Sequence, residues 1–280
     1  MAFGAQLAVA MSDYGPLCVG IDPHPQLLQQ WGLPDTPEGL ASFGETVIEA
    51  SARHAAAVKP NAAFFERHGA RGVAALELIL RRAREAELLT VLDAKRGDIG
   101  STMAGYAQAF LTKGAPLECD ALTVSPYLGF GSLQPAIDLA KTNGKGLFVL
   151  ALTSNPEGAE VQHARAANGE AVAAGIVRQA AEHNVGETPM GSIGLVVGAT
   201  VGTAVSDLGI GLDGLNGPIL APGVGAQGAG PAELSQVFGN SRRLVLVNQS
   251  RGVLREGPFV EKLRQAVISA SGAAQSALQA

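Results

Sequence analysis

The sequence contains few cysteines, few aromatic residues and no long apolar run. Two cysteines, Cys18 and Cys119, occur in 280 residues, which is too few for a disulfide framework or a cysteine-rich metal site. Both adjoin strand-like apolar runs, so we predict that they are buried as small hydrophobic side chains. No apolar run approaches the roughly 20 residues of a membrane-spanning helix, and the chain from Met1 to Met11 lacks the basic start of a signal peptide. The default expectation is a cytoplasmic protein without a membrane partner.

The sequence also has few charged residues and a small net charge. Charged residues make up 16% of the chain, and 20 basic against 25 acidic residues give a net charge of −5. A chain without a basic excess has no global field that would attract nucleic acid. Any anionic ligand must therefore be held by a local site. The 47% of hydrophobic residues is typical of an ordinary globular protein.

The sequence does contain a regular alternation of strand and helix candidates. After a short amphipathic helix, marked by Phe3, Leu7, Ala10 and Met11, the predicted strands are residues 17–22, 56–61, 89–95, 121–126, 146–154, 193–200, 218–223 and 243–251. The predicted helices that follow them are residues 38–54, 72–87, 102–113, 132–142, 169–184, 203–209, 231–238 and 258–278. Two connections, 155–168 and 208–217, are longer than the others, and their role stays open.

Strict alternation of this kind predicts a parallel sheet. Repetition over about 250 residues favours a single (β/α)₈ TIM barrel, with residues 1–280 as one catalytic domain. The alternative is an open doubly wound sheet. Such a sheet carries a glycine-rich phosphate fingerprint after its first strand, and Gly20-Ile21-Asp22-Pro23 is not one.

The third predicted strand ends in a cluster of opposite charges, Asp93-Ala94-Lys95-Arg96-Gly97-Asp98. Because side chains alternate along a strand, Asp93 and Lys95 should project to one face. Charges on a face that should be buried need a reason, since their desolvation is costly. A structural ion pair and a polarised catalytic lysine are both compatible with this stretch alone.

Polar residues recur at the carboxyl ends of the predicted strands, where barrel enzymes place their ligand-binding groups. They are Asp22 on the first strand, Lys59 and Asn61 on the second, Asp93 and Lys95 on the third, Ser125 on the fourth, and Asn248, Gln249, Ser250 and Arg251 on the eighth. Any one of them could be a satisfied structural group. Their recurrence at one end on five strands favours a functional site.

A second pattern predicts a phosphate site. A glycine-rich loop runs from Pro222 through Gln227 to Gly230, and such loops expose backbone N–H groups to anions. Arg251 adds a bidentate cation. Loops after strands seven and eight recurrently hold phosphate in barrel enzymes, so the sequence predicts a phosphorylated small molecule.

Lys59, Asp93, Lys95 and Asp98 alternate in sign, which favours the protonated form of Lys95. A protonated lysine is not a Schiff-base nucleophile. It is suited instead to stabilise a developing carbanion and then to donate a proton.

Asp93-Ala94-Lys95-Arg96-Gly97-Asp98-Ile99 resembles the Asp-x-Lys-x-x-Asp signature of the orotidine 5′-phosphate decarboxylase family, in its longer branch. The similarity extends to Gly20–Pro23, Val58–Asn61, Pro222–Gly228 and Ser250–Gly252. The resemblance implies cofactor-free, metal-free conversion of orotidine 5′-monophosphate to UMP and CO₂, the last step of de novo pyrimidine nucleotide synthesis. It also implies a homodimer.

The resemblance further implies residue roles. Lys95 would donate the proton to C6, Asp93 would lie by the departing carboxylate, and Lys59 would bridge Asp93 and the ribose. Asp22 would bind a ribose hydroxyl, and Ser125 the pyrimidine amide edge. Phosphate would contact Gln227 and Arg251 beside Pro222, whereas Asp98 and Thr102 would come from the neighbouring subunit.

Two rival functions stay open. A metal-dependent decarboxylase of the same superfamily, acting on a sugar-acid phosphate, would need a metal-ligating glutamate and a different phosphate loop. A non-catalytic nucleotide sensor would need Gln227 and Arg251 but not the charged array. Arg96 departs from many relatives, which carry an apolar residue there, and it adds a positive charge inside the motif.

Overall fold

The computed structural model describes residues 1–224 and 228–280. Eight parallel strands pair in sequence order, and the first pairs with the last, so the sheet closes into a barrel. The strands are β1 Leu17–Ile21, β2 Ala57–Pro60, β3 Leu89–Arg96, β4 Ala121–Val124, β5 Gly146–Leu152, β6 Ile193–Val197, β7 Ile219–Pro222 and β8 Val245–Gln249. The predicted (β/α)₈ TIM barrel is confirmed.

Helices surround the barrel. They are α1 Phe3–Tyr14, α2 Pro25–Gln30, α3 Pro37–Ser51, α4 Ala62–Glu66, α5 Gly69–Glu85, α6 Gly100–Leu111, α7 Gln134–Asn143, α8 Ala159–Gln162, α9 Val172–Glu182, α10 Ala204–Asp207, α11 Pro231–Phe238, α12 Arg251–Leu254 and α13 Val260–Gln279. Short 3₁₀ turns lie at Phe130–Leu133, Pro156–Gly158, Leu212–Gly214 and Gly239–Leu244. Within these described ranges, no helix is long and apolar enough to cross a membrane.

The strands are almost wholly buried, as expected where side chains fill the barrel on one face and meet helices on the other. The burial of both cysteines is confirmed: Cys18 and Cys119 are 0% and 1% exposed. Burial raises the pKa of the Cys18 thiol to about 12, so this side chain behaves as a small hydrophobic group. The predicted N-terminal helix is confirmed as α1, on which Phe3 and Leu7 are fully buried.

Several predicted strand ends were wrong: β5 ends at Leu152 and β6 at Val197, short of the predicted residues 154 and 200. β4 stops at Val124, so Ser125 and Pro126 lie in the following loop. β8 is shorter at both ends: a 3₁₀ turn occupies Gly239–Leu244, and Arg251 is the first residue of α12. Apolar composition alone extends a strand too far where the chain turns directly into a short helix.

Buried charges also occur at the amino-terminal end of the barrel, away from the predicted site. Lys145 Nζ lies 2.8 Å from Glu118 Oε1 and 3.1 Å from Asp120 Oδ1. Asp120 Oδ2 in turn accepts hydrogen bonds from the N–H and hydroxyl of Thr90. Paired in this way, the cluster fits a structural role in joining β3, β4 and β5.

Candidate active site

Lys59, Asp93 and Lys95 form one ion triad at the carboxyl ends of β2 and β3. Lys59 Nζ lies 2.8 Å from Asp93 Oδ2, and Lys95 Nζ lies 2.6 Å from Asp93 Oδ1. The Lys59 side chain is 6% exposed, whereas that of Lys95 is 51% exposed. Each carboxylate oxygen therefore serves a different cation, one fixed in the barrel and one facing the opening. The structure thus brings these three sequence-predicted residues together.

The pKa values of the buried pair show that both members are charged at neutral pH. Burial alone would lower the pKa of Lys59, but the negative charges of Asp93 and Asp22 outweigh it and raise that pKa to about 12. Burial would raise the pKa of Asp93, but Lys59 and Lys95 outweigh it and lower that pKa to about 2. The site thus holds a permanent carboxylate between two ammonium groups.

The backbone of β3 is irregular where it presents Lys95. Leu92 pairs with Leu122 and Arg96 with Val124, so β3 carries two more residues than β4 over this span. Lys95 has a φ of 48°, in the left-handed region that residues other than glycine rarely adopt. Such conformations persist only where the surroundings hold them, and they cluster at functional sites.

Thr123 of β4, which was not among the predicted site residues, holds this irregular segment. Its Oγ1 accepts the backbone N–H groups of Ala94 at 3.0 Å and Lys95 at 2.9 Å. The same oxygen lies 3.1 Å from Asp93 Oδ1, to which the hydroxyl can donate. One buried hydroxyl thereby fixes the backbone of Lys95 and the carboxylate that pairs with it. A threonine within an apolar strand carries no sequence signal for this.

Asp22, at the end of β1, has a carboxylate oxygen that accepts no hydrogen bond from the described residues. Its Oδ1 is buried and has no hydrogen-bond partner among the described residues, although buried carboxylate oxygens are normally bonded. Gly20 makes room nearby, because a Cβ there would lie 1.9 Å from Ser250 Oγ and 2.9 Å from Asp22 Oδ2. The oxygen is placed to accept a donor from a ligand.

Next to Asp22 is a cavity of about 840 Å³. It is lined by Asp22, His24, Gln26, Leu27, Gln30, Pro222, Gly223, Val224, Asn248, Gln249, Ser250, Arg251, Gly252 and Arg255. Three residues predicted for ligand binding, Asp22, Pro222 and Arg251, thus share one cavity. Arg251 enters it from the first turn of α12 and not from a strand end. Gln227 lies outside the described residues.

Asp98 and Thr102 do not reach Lys95 within one chain. Asp98 Oδ1 accepts the backbone N–H of Ile99 at 2.8 Å, and the ion pairs found among the described residues do not include Asp98. Thr102 is exposed in the first turn of α6. A single chain therefore assembles three of the four charges in the predicted array.

Two serines lie near the site at neighbouring strand ends. Ser125 is half-buried just after β4, and its backbone N–H donates to the carbonyl of Arg96 at 2.7 Å. Ser154 follows β5 and is exposed. Of the two, only Ser125 was predicted from the sequence as a binding residue, although β4 and β5 are neighbours in the barrel.

The guanidinium of Arg96 points away from the triad. It forms an ion pair with Glu66 at the end of α4 and donates to the carbonyl of Ala94. Its Cζ also lies 5.7 Å from the ring centroids of both Tyr106 and Phe110 on α6. Arg96 therefore joins α4 and α6 across the end of β3, and its charge is balanced there.

In the part of the chain that the structure describes, no group of three or more His, Cys, Asp or Glu side chains is arranged to hold a metal ion.

Comparison with known proteins gives consistent matches over nearly the whole chain. The family model described as "Orotidine 5′-phosphate decarboxylase / HUMPS family" matches residues 15–266. The orotidine 5′-phosphate decarboxylase of Streptomyces coelicolor is 61% identical over 265 residues, 94% of each chain. That of Salinispora arenicola is 55% identical, over 95% of this chain and 94% of its own.

Solved structures agree. A Streptomyces avermitilis crystal structure, of a protein assigned as an orotidine 5′-phosphate decarboxylase, superimposes with a TM-score of 0.94 at 58% identity, covering 100% of this chain and 96% of that one. The OMP decarboxylase of Leishmania donovani gives a TM-score of 0.78 at 31% identity, with 100% of both chains covered.

Proposed function

The chain belongs to the orotidine 5′-phosphate decarboxylase family, and on that premise we propose that it converts orotidine 5′-monophosphate to UMP and CO₂ without a metal or cofactor. The observation that carries the proposal is the triad of Lys59, Asp93 and Lys95. Its outer ammonium faces the barrel opening. A cation held there by a permanent carboxylate is suited to reaction through a carbanion.

In the proposed reaction, the bond between C6 and the carboxylate breaks and its electron pair stays on C6 as CO₂ leaves. The ammonium of Lys95 stabilises that charge and then transfers a proton to C6. Lys95 regains its proton from water. Asp93, which contacts Lys95 at 2.6 Å, would also repel the substrate carboxylate, and this repulsion ends as CO₂ departs.

The remaining groups would bind the nucleotide. The unpaired Oδ1 of Asp22 would accept a hydrogen bond from a ribose hydroxyl, and Lys59 would bridge Asp93 and the ribose. Arg251 would bind the phosphate within the cavity that it shares with Pro222. Gln227 is proposed as a further phosphate ligand from its sequence position alone.

We further propose a homodimer in which Asp98 and Thr102 complete the partner's site. Three large apolar side chains near Asp98 are unusually exposed: Ile99 by 61%, Tyr127 by 77% and Leu128 by 54%. They follow β3 and β4 on the face that bears the triad. Apolar residues exposed together in this way are typical of an interface.

The direct test is to mix the purified protein with orotidine 5′-monophosphate in EDTA and follow the ultraviolet absorbance. We expect loss of the substrate signature and formation of UMP. A metal-dependent decarboxylase would lose activity in EDTA and recover it with added divalent cation. A sensor would bind UMP without consuming the substrate. Either result contradicts the proposal.

Recognition of the pyrimidine amide edge is proposed for Ser125, and the exposed Ser154 serves as the comparison. We expect Ser125→Ala to lower kcat/KM about tenfold, because one hydrogen bond to the base is lost. Ser154→Ala should match the wild type. A loss confined to Ser154→Ala would place the contact after β5 and refute the assignment to Ser125.

The depressed pKa of Asp93 predicts a pH-dependent stability. Its pKa falls from 3.8 to about 2 on folding, so its stabilisation is present above pH 3.8 and is lost as the pH falls toward 2. The shift corresponds to about 2 kcal/mol. We expect the difference in unfolding free energy between wild type and Asp93→Asn, measured by denaturant titration, to shrink by about that amount between pH 6 and pH 2. A constant difference would contradict the predicted shift.

A further inference from the structure

Trp31, the one tryptophan of the chain, lies directly after α2 and contacts the segment that carries Arg251. Helices α2 and α12 both border the cavity. Gln26 and Gln30 come from the first, and Arg251 from the second. The indole Nε1–H donates a buried hydrogen bond to the carbonyl oxygen of Leu254 at 3.0 Å. This bond joins the two helices across 223 positions of sequence.

The indole is closely confined. It is 6% exposed, and its ring centroid lies 4.2 Å from that of Phe43 on α3. On the side of α12, a Cβ at Gly257 would lie 2.1 Å from a ring carbon. Only glycine at 257 lets the chain after α12 approach the ring so closely, so the indole fixes this segment by contact as well as by hydrogen bonding.

Helix α12 needs such support because it is only four residues long. A helix of this length has little stability of its own. Its last residue, Leu254, accepts the bond from Trp31 and a second from the backbone N–H of Gly257 at 3.2 Å. Arg251, its first residue, is one turn away. Movement at Leu254 would therefore move Arg251 relative to α2.

We propose that Trp31 is a positioning residue for phosphate binding: it holds α12 against α2 and so places the guanidinium of Arg251 in the cavity. This inference rests on the proposed nucleotide function. It predicts that Trp31 affects ligands that carry a phosphate and leaves the corresponding nucleoside unaffected.

The test compares inhibition constants of UMP and uridine. Trp31→Phe keeps an aromatic ring but removes the N–H donor. We expect UMP binding to weaken about fivefold to tenfold, as for the loss of one buried hydrogen bond, while uridine binding is unchanged. Arg251→Ala gives the reference for complete loss of the phosphate contact. Phe3→Leu is the matched control, since Phe3 is buried against Phe148 and contacts neither helix. We expect Phe3→Leu to lower the Tm and to leave the ratio of the UMP and uridine inhibition constants unchanged.

The outcomes separate the two claims. If the wild type binds UMP no better than uridine, the proposed nucleotide site itself fails. If it prefers UMP but Trp31→Phe lowers only the Tm and keeps the ratio, as Phe3→Leu does, the positioning role is overturned. Should Trp31→Phe fail to fold, Gly257→Ala displaces the indole from the other side. If Gly257→Ala reduces the preference for UMP over uridine, the positioning role of Trp31 is supported. If that preference is unchanged, the role is overturned.

Discussion

Lys95→Ala is expected to lower kcat by about 10⁴-fold or more while the protein stays folded. In the proposed reaction, the variant loses both the cation that stabilises charge at C6 and the proton donor, and each contributes several powers of ten. The fold should survive because the Lys95 side chain is half exposed, and Asp93 keeps its pairing with the buried Lys59. Steady-state decarboxylation, circular dichroism and UMP binding on the same preparation provide the measurement.

The control for this variant is Lys113→Ala. Lys113 is an exposed lysine beyond the end of α6, so its loss should leave kcat at the wild-type value. If Lys95→Ala is folded and retains kcat within tenfold of the wild type, Lys95 is not the proton donor. Loss of structure in Lys95→Ala would contradict the view that Lys59 is sufficient to compensate Asp93.

The second large effect is recovery of activity on mixing two inactive variants. Asp98→Ala and Lys95→Ala should each be inactive alone. In a heterodimer of the proposed assembly, one of the two sites would receive Lys95 from one chain and Asp98 from the other, and the second site would lack both. Random exchange of equal amounts makes about half of the dimers mixed, so about a quarter of wild-type activity should return.

The matched control mixes Lys59→Ala with Lys95→Ala. Lys59 and Lys95 contact the same Asp93 within one chain, so every site in that mixture lacks one of the two lysines. No activity should return. Equal recovery in both mixtures, or no recovery with Asp98→Ala after subunit exchange has been verified by mass spectrometry, would rule out a shared site.

Sequence pattern was sufficient to predict the barrel and to group the three residues of the triad. Alternating apolar strands and amphipathic helices determine the architecture because each face of a buried parallel strand needs cover. Lys59, Asp93 and Lys95 could be grouped because parallel strands deliver their carboxyl ends to one edge. These inferences use the spacing and polarity of residues, both of which can be read from a single sequence.

Features that depend on three-dimensional contact were not predictable. Thr123 acts through its hydroxyl on the backbone of a neighbouring strand, and nothing in an apolar strand distinguishes such a threonine from a packed one. The irregular backbone at Lys95 could not be predicted either, since the strand was expected to alternate its side chains regularly between two faces. Helices of four to six residues, such as α2, α4 and α12, are too short for a period to emerge. That is why Arg251 was assigned to a strand.

The two oxygens of the Asp93 carboxylate pair with two different lysines, and this affects the charge balance over a catalytic cycle. In the proposed reaction, Lys95 becomes neutral when its proton passes to C6. A carboxylate with a single partner would then be left as an uncompensated, largely buried charge, which is costly. Because its other oxygen remains 2.8 Å from the Lys59 ammonium, Asp93 stays ionised and paired. The buried lysine thus allows its exposed neighbour to give up a proton and take one back.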